Sequence, residues 1–379
     1  MSKLKLMTFI GTRPEIIRLS RTMVRLDEFL NQVIVHTGQN YDYELNEVFF
    51  KELELRKPDY FLEVDTSSLE GSVGDIIRKS GEVLRKENPD AVLVLGDTNS
   101  CLAAYMAKRL HIPVFHMEAG NRCFDLNVPE EVNRRIIDHI ADFNLVYTEH
   151  ARRHLISEGL PHRRIYLTGS PMREVLDYYM PKIKKSKALE SLSLKATGYF
   201  LVSTHREENV DNPENLSRIL NILNQLAVDY NLPVIVSTHP RTRKKIEMLK
   251  SIEMNSMIRF LKPFGFLDYV YLQMNALCVL SDSGTISEES SMLNFPAISL
   301  RQSMERPEAQ DAGTIILTGF DPQVVLESIK MLIKEFKMTS GYKQIAGDYT
   351  IENTSWRVLK LISGNAKLSN LWEGIKRIN

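Results

Sequence analysis

The chain has 379 residues, beyond the size at which one hydrophobic core keeps growing, so two domains are expected. Lys plus Arg number 48 and so do Asp plus Glu, which excludes nucleic acid or an anionic membrane as a partner held by bulk charge; an anionic ligand has to be met locally. Three cysteines without a CxxC pair suggest neither a disulfide framework nor a thiolate zinc site, and no apolar run reaches membrane-spanning length, so a soluble cytoplasmic protein is expected.

From the N-terminus, short apolar runs recur, each ending in a small or polar turn: LKLMTFIGT, QVIVHTGQ, AVLVLGDTNS, VFHMEAGN, NLVYTE and IYLTGSP. Stretches with helical spacing separate most of them; over Glu15–Leu30, for instance, Ile16, Leu19, Met23 and Leu26 share one face. Buried strands alternating with helices predict a parallel sheet in an α/β domain. The pattern pauses over the Lys- and Ser-rich Asp177–Gly198, then restarts as YFLVSTHREEN, PVIVSTHPRT, IRFLKPFG, ALCVLSDSG, AISLRQ and TIILTG. Two successive α/β domains joined around residues 172–198, with a cleft between them, is the economical architecture. The last helical stretch, SWRVLKLISGNAKLSNLWEGIKRI, fits against either domain.

Ligands of open parallel sheets bind beyond the carboxyl ends of the strands, so the polar residues after each run are the candidates. The first domain offers Arg13 and Glu15, then Asp97 in GDTNS, then His116, Glu118 and Arg122 in HMEAGNR, then Glu130, Glu131, Arg134 and Arg135 in VPEEVNRR. In GTRPE, Thr12, Pro14 and Glu15 read as helix initiation by a capping box with proline in the first turn. Arg13 opposes the helix dipole unless both converge on an anion such as a diphosphate. In the second domain, SDSGTISEE carries a strand into a helix, with Gly284 allowing close approach: either a phosphate cradle without a Walker lysine, or a plain Ser/Asp cap. Glu289 lies one turn into that helix, where it would accept from two ribose hydroxyls or simply be solvated. His205 and Arg206 follow one run, His239, Arg241 and Arg243 the next, and Arg306 sits in MERPE. Neither HExxH, GxGxxG nor GxxxxGK[ST] occurs, so no metal site, dinucleotide cofactor or P-loop is expected.

The ordered set GTRPE, GDTNS, HMEAGNR, PEEVNRR, THREEN, STHPR, SDSGTISEE and ERPE resembles the non-hydrolysing UDP-N-acetylglucosamine 2-epimerase family over nearly the whole chain. The resemblance implies a GT-B fold: two Rossmann-like α/β/α domains, residues 1–172 joined by the helix 355–379, and residues 173–354. It also implies a cytoplasmic homodimer that binds a UDP-2-acetamido sugar in the cleft, chiefly through the second domain, without cofactor or metal. Matched by motif, the acid/base carboxylates fall on Asp97, Glu118 and Glu130 and the essential histidine on His205. UDP-sugar contacts fall on Arg13, Arg18, Arg134, Ser283, Gly284, Thr285, Glu289 and Arg306. Arg18 stands where lysine is frequent, and Thr285 where many relatives carry a second glycine, so only its backbone role carries over. Asn40 in TGQN replaces a frequent histidine, in a segment that serves an allosteric pocket in some relatives. TGQNYDYELNEVFF, GDTNSC, EAGNRCFD and SDSGTISEESS resemble the branch that makes UDP-N-acetyl-L-fucosamine for capsule and O-antigen.

The implied reaction inverts a carbon with no neighbouring carbonyl to acidify its proton. Loss of the C2 proton together with rupture of the C1–O bond delivers the charge to diphosphate rather than to carbon. Arginines and a helix N-terminus suit the leaving group, and carboxylates on different faces suit the proton, at least one with its pKa raised by crowding among Asp97, Glu118 and Glu130. Arg13 is expected to approach the diphosphate from the opposing domain when the cleft closes.

Overall fold

The first strand, β1 (Lys5–Ile10), carries Leu6, Met7, Phe9 and Ile10 with essentially no exposed surface, the burial on both faces that marks a central parallel strand. A computed structural model of the chain describes residues 3–38, 49–204, 206–238, 245 and 253–376. Among the described residues, β1 lies in a seven-stranded sheet with β2 (Asn31–His36), β3 (Tyr60–Phe61), β4 (Ala91–Leu95), β5 (Val114–Met117), β6 (Phe143–Val146) and β7 (Ile165–Leu167). The order is β3-β2-β1-β4-β5-β6-β7, and neighbouring strands pair in parallel.

The second sheet holds β8 (Phe200–Ser203), β9 (Val234–Ser237), β10 (Ile258–Leu261), β11 (Cys278–Ser281), β12 (Ala297–Ser299) and β13 (Ile316–Leu317). Its six strands run in the order β10-β9-β8-β11-β12-β13, again parallel. Each apolar run in the sequence carries one of these strands. Only β3 has no such run, because two residues at a sheet edge need none.

Each sheet is covered by amphipathic helices. In the first unit Met7, Phe9, Val92 and Val94 pack with Ile76 and Leu84 of the helix Leu69–Glu87. In the second, Phe200, Val202 and Leu280 pack with Leu220 and Leu223 of the helix Pro213–Tyr230 and Ile329 of the helix Pro322–Thr339. The chain divides into Met1–Asp177 with Thr350–Asn379, and Tyr178–Tyr349. The division falls inside the helix Met172–Ile183, so the polar stretch that interrupts the strand pattern begins as helix rather than as open linker. The last helix, Thr354–Glu373, belongs to the first unit, where Trp356 lies 5.4 Å from the Phe29 ring and 4.2 Å from the Arg25 guanidinium. No helix among the described residues is long and apolar enough to cross a membrane.

The turn after β5 depends on one glycine. Gly120 has φ +80°, and a Cβ there would lie 2.4 Å from the Ala151 carbonyl oxygen, so both backbone conformation and space demand glycine. Gly120→Ala is expected to destabilise the protein by about 2 kcal/mol or more, read as a lower urea midpoint with an unchanged slope.

Candidate active site

Because β1, β4 and β5 are adjacent and parallel, the turns that follow them meet at one edge of the first sheet. Glu15 lies one turn into the helix Arg13–Phe29 that follows β1, and its carboxylate is buried. It accepts from the N–H groups of Gly11 at 2.5 Å and Thr12 at 3.0 Å, the glutamate half of a capping box. It also accepts from the hydroxyls of Thr98 and of Ser100, the latter at 2.6 Å. Burial pushes its carboxyl above the ordinary value, against the pull of these four donors.

Beyond β4, Gly96 takes φ +69° and Asp97 turns its carboxylate to Arg134, whose Nε donates to Oδ2 at 3.0 Å while Nη2 bonds the same oxygen. The third nitrogen, Nη1, donates to Glu131 at 2.8 Å. Arg134 and Glu131 sit three residues apart on the helix Pro129–Ile140 and are almost fully buried. Glu131 also accepts from the Cys123 N–H at 3.1 Å and from Arg135 Nε at 3.0 Å. Asn133 of the same helix donates to the Asp97 carbonyl and to Asn99 Oδ1, each at 3.0 Å.

Glu118, directly after β5, has φ +63°, a left-handed conformation that costs a non-glycine residue on the order of 1 kcal/mol or more and that the surrounding structure must impose. Its carboxylate forms an ion pair with Arg18 Nη1. Behind it, His116 bonds the Gly96 carbonyl through Nε2 at 2.8 Å, and its Nδ1 lies 2.9 Å from Asp138. Asp138 also takes Arg122 Nη1 at 2.6 Å and the Gly120 N–H, while Arg122 grips Glu158 with Nε at 2.7 Å and Nη2 at 2.6 Å. Arg122 is thus a fastening of the turn after β5 rather than a ligand-facing cation.

In the second unit β8 and β11 are neighbours, so THREEN and SDSGT share an edge. Asp282 is fully buried and accepts from the Arg206 N–H at 3.0 Å and Asn209 Nδ2 at 2.8 Å. Ser283 and Thr285 exchange a hydroxyl contact at 2.9 Å, and the Thr285 N–H reaches Ser283 Oγ at 3.4 Å. A Cβ on Gly284 would approach Glu305 Oε2 to 3.1 Å, with Arg301 and Arg306 next beyond it. Glu305 pairs with Arg301 at 2.7 Å and with Arg206 at 3.3 Å, and Arg306 pairs with Glu288 at 2.5 Å. A side chain at 284 would therefore press on the Glu305 carboxylate of this charge cluster. Glu289, half-buried, accepts from Gln273 Nε2 at 2.6 Å.

The structure brings Asp97 and Glu118 to adjacent strand ends and pairs each with a guanidinium, Asp97 with Arg134 and Glu118 with Arg18. Glu130 stands half-buried in the first helical turn, beside the fully buried Glu131 that bonds Arg134. Arg13 lies with its guanidinium 5.2 Å from the Phe49 ring centroid. His205, Asn40, His239, Arg241 and Arg243 lie outside the described residues. Missed in the sequence were the ion-pair and hydrogen-bond partners Asp138, Glu158, Asp282, Glu288 and Glu305; their spacing on helices and their place in the quoted motifs are the signals that could have found several of them.

Two parallel-sheet α/β units with charged and polar strand ends are the build of the GT-B-like enzymes that handle nucleotide sugars. A UDP-N-acetylglucosamine 2-epimerase from Rickettsia bellii has a similar structure, with TM-score 0.91 and 50% identity, over 98% of this chain and 100% of that one. A Methanocaldococcus jannaschii UDP-GlcNAc 2-epimerase in complex with UDP-GlcNAc and UDP gives TM-score 0.88 at 32% identity, over 96% and 100%. A Pseudomonas aeruginosa UDP-2,3-diacetamido-2,3-dideoxy-D-glucuronate 2-epimerase is 33% identical over 86% of this chain and 92% of its own. The family model described as UDP-N-acetylglucosamine 2-epimerase matches residues 23–363, and the chain belongs to that family of non-hydrolysing isomerases. Its activity is 2-epimerisation of a UDP-sugar.

The Arg122–Glu158 pair carries a pH signature. Arg122 holds the Glu158 carboxyl down to about 2 from an ordinary 4.5, so the pair's stabilisation is complete above pH 4.5 and is lost as pH falls toward 2. Glu158→Gln is expected to cost about 2 kcal/mol at neutral pH. In parallel urea titrations, its deficit against the parent should shrink steadily between pH 4.5 and 2.

Proposed function

We propose that the protein converts UDP-2-acetamido-2,6-dideoxy-β-L-talose to UDP-N-acetyl-L-fucosamine, a precursor of capsular polysaccharide and O-antigen, by elimination of UDP and its re-addition. The observation that carries the chemistry is the pair of arginine-bound carboxylates at the adjacent ends of β4 and β5, Asp97 with Arg134 and Glu118 with Arg18. The narrower choice of sugar is supported by the motifs TGQNYDYELNEVFF, GDTNSC, EAGNRCFD and SDSGTISEESS.

In this scheme a carboxylate takes the C2 proton while the C1–O bond breaks. The C–H electron pair becomes the C1=C2 double bond of a 2-acetamidoglycal, and the C1–O pair leaves on the β-phosphate oxygen. Protonation of C2 on the other face and return of UDP to C1 give the epimer, with no net change in protons or electrons. Asp97 and Glu118 remove and return the proton, assisted by Glu130; His205 serves the diphosphate or a proton relay. Arg134 orients Asp97 and contacts the sugar side, and Arg18 does the same for Glu118. Charge growing on the leaving diphosphate is met by Arg13, Arg306 and the Ser283–Gly284–Thr285 turn at the start of the helix Ile286–Leu293, while Glu289 accepts from ribose hydroxyls. The protein works in the cytoplasm as a homodimer and needs neither metal nor redox cofactor.

A second reading is interconversion of UDP-N-acetylglucosamine and UDP-N-acetylmannosamine, favoured by the substrate in the name of the Rickettsia bellii relative. A panel of UDP-2-acetamido sugars, with products identified by NMR, separates the two. Turnover of the L-talo sugar and none of UDP-N-acetylglucosamine is the expected result; the reverse gives the second reading.

In D₂O, product formed without added NAD or metal should carry one deuterium at C2. Unlabelled product would demand an internal hydride route and end the elimination scheme. Asp97→Asn and Glu118→Gln should each lose at least about a hundredfold in kcat while titrating with UDP as the parent does, and near-parental turnover in both would remove them from proton transfer.

A further inference from the structure

Glu15 accepts more hydrogen bonds than starting a helix requires. Its Oε2 takes the N–H groups of Gly11 and Thr12, in the turn after β1. Its Oε1 takes the hydroxyls of Thr98 and Ser100, which lie 2.8 Å from each other in the turn after β4. One carboxylate, 2% exposed, therefore ties together the turn that leads to Arg13 and the turn that carries Asp97. From the other side, Asn133 holds the same β4 turn by the Asp97 carbonyl and Asn99 Oδ1. The backbone on either side of Asp97 is thus clamped, and its carboxylate is aimed by Arg134.

We infer that Glu15 is a positioning residue for the epimerase reaction, a strut that fixes Asp97 through Thr98 and Ser100. The inference rests on the reading of Asp97 as a proton-transfer group. A base in a concerted elimination has to lie along the C2–H bond as the C1–O bond stretches, and a misplacement of about 1 Å can cost on the order of a hundredfold in rate. Two oxygens face four donors, in charge-assisted bonds stronger than neutral ones. An amide in that place keeps one oxygen for the N–H groups of Gly11 and Thr12 but makes both hydroxyls turn round and accept, which removes the charge from the strut. Nothing in helix initiation asks for the two hydroxyls, since a capping box is complete with backbone donors.

The test uses the full-length enzyme and two variants that cut the strut at different ends. Glu15→Gln alters the acceptor. Thr98→Val with Ser100→Ala removes only the donors to Oε1 and leaves the Gly11 and Thr12 bonds intact. Active sites are counted by UDP titration, so that kcat is expressed per UDP-binding site and loss of folded protein does not register as loss of rate. Both variants are expected to lose about tenfold to a hundredfold in kcat per site, with KM within threefold of the parent. Thr98→Ser, which keeps the hydroxyl, should turn over as the parent does. If Glu15→Gln does not fold, the Thr98/Ser100 variant decides alone. Parental kcat per site in that folded variant, with Asp97→Asn inactive, overturns the strut while leaving the role of Asp97 standing. Parental turnover in Asp97→Asn would instead remove the reading on which the strut rests. Equal losses in Thr98→Ser and in the Thr98/Ser100 variant would also overturn it, because the hydroxyl would then not matter.

Discussion

Arg134 has almost no contact with solvent, and it reaches two carboxylates on different elements: Asp97 after β4 and Glu131 on its own helix. That arrangement follows from the fold. Parallel strands deliver their polar turns to one edge, and when that edge is covered each charge placed there must find a partner, since an unpaired buried ion costs several kcal/mol. Arginine suits this position because its planar fork presents several donors at once. Lysine would satisfy one carboxylate well and leave the second poorly met. Arg18 on Glu118 and Arg122 between Asp138 and Glu158 repeat the solution at the end of β5.

The second sheet meets the same constraint in a different way. Its edge carries Arg206, Arg301 and Arg306 with Glu288 and Glu305, packed against the side of Gly284 where a Cβ would stand. Glu305 shares one oxygen between two guanidinium groups. Within that triad positive charge exceeds negative, which suits a turn whose proposed ligand is a diphosphate. The glycine that reads in sequence as permitting a ligand to approach also has close company on its inner side, where a Cβ would come within 3.1 Å of the Glu305 carboxylate.

The strands are legible in the sequence because parallel strands are buried on both faces and read as unbroken apolar runs, each closed by a polar turn. That Glu131 is the fully buried member of the Glu130–Glu131 pair is not legible, and the reason is physical. The helix Pro129–Ile140 buries Glu131, Arg134 and Asp138 beside Ile137 while leaving Val132 and Ile136 exposed, so its inner face is mostly charged and two of its apolar residues face outward. Periodicity finds the inner face of a helix only when that face is apolar. Glu289 shows a second limit: one turn into a helix it reads as a free carboxylate, yet Gln273, a fully buried amide sixteen residues earlier, donates to it. Glu15 shows a third, because a local explanation as a cap was sufficient and gave no reason to look 83 residues ahead to Thr98.

The double grip of Arg134 bears on how a paired carboxylate can accept a proton at all. A carboxylate held only by one buried guanidinium is a poor base, because protonation would leave that cation without a counter-charge in a low-dielectric setting. Arg134 is not so placed. In the proposed scheme, when Asp97 takes a proton, Nη1 of Arg134 keeps its bond to Glu131, and Glu131 is itself held by Arg135 and the Cys123 N–H. The guanidinium then loses one of its two counter-charges and keeps the other, so no ion is orphaned. In the elimination scheme, Glu131 then matters without touching the sugar: it is the counter-charge that lets Asp97 change its protonation state while the turn after β4 stays where Asn133 and Glu15 hold it.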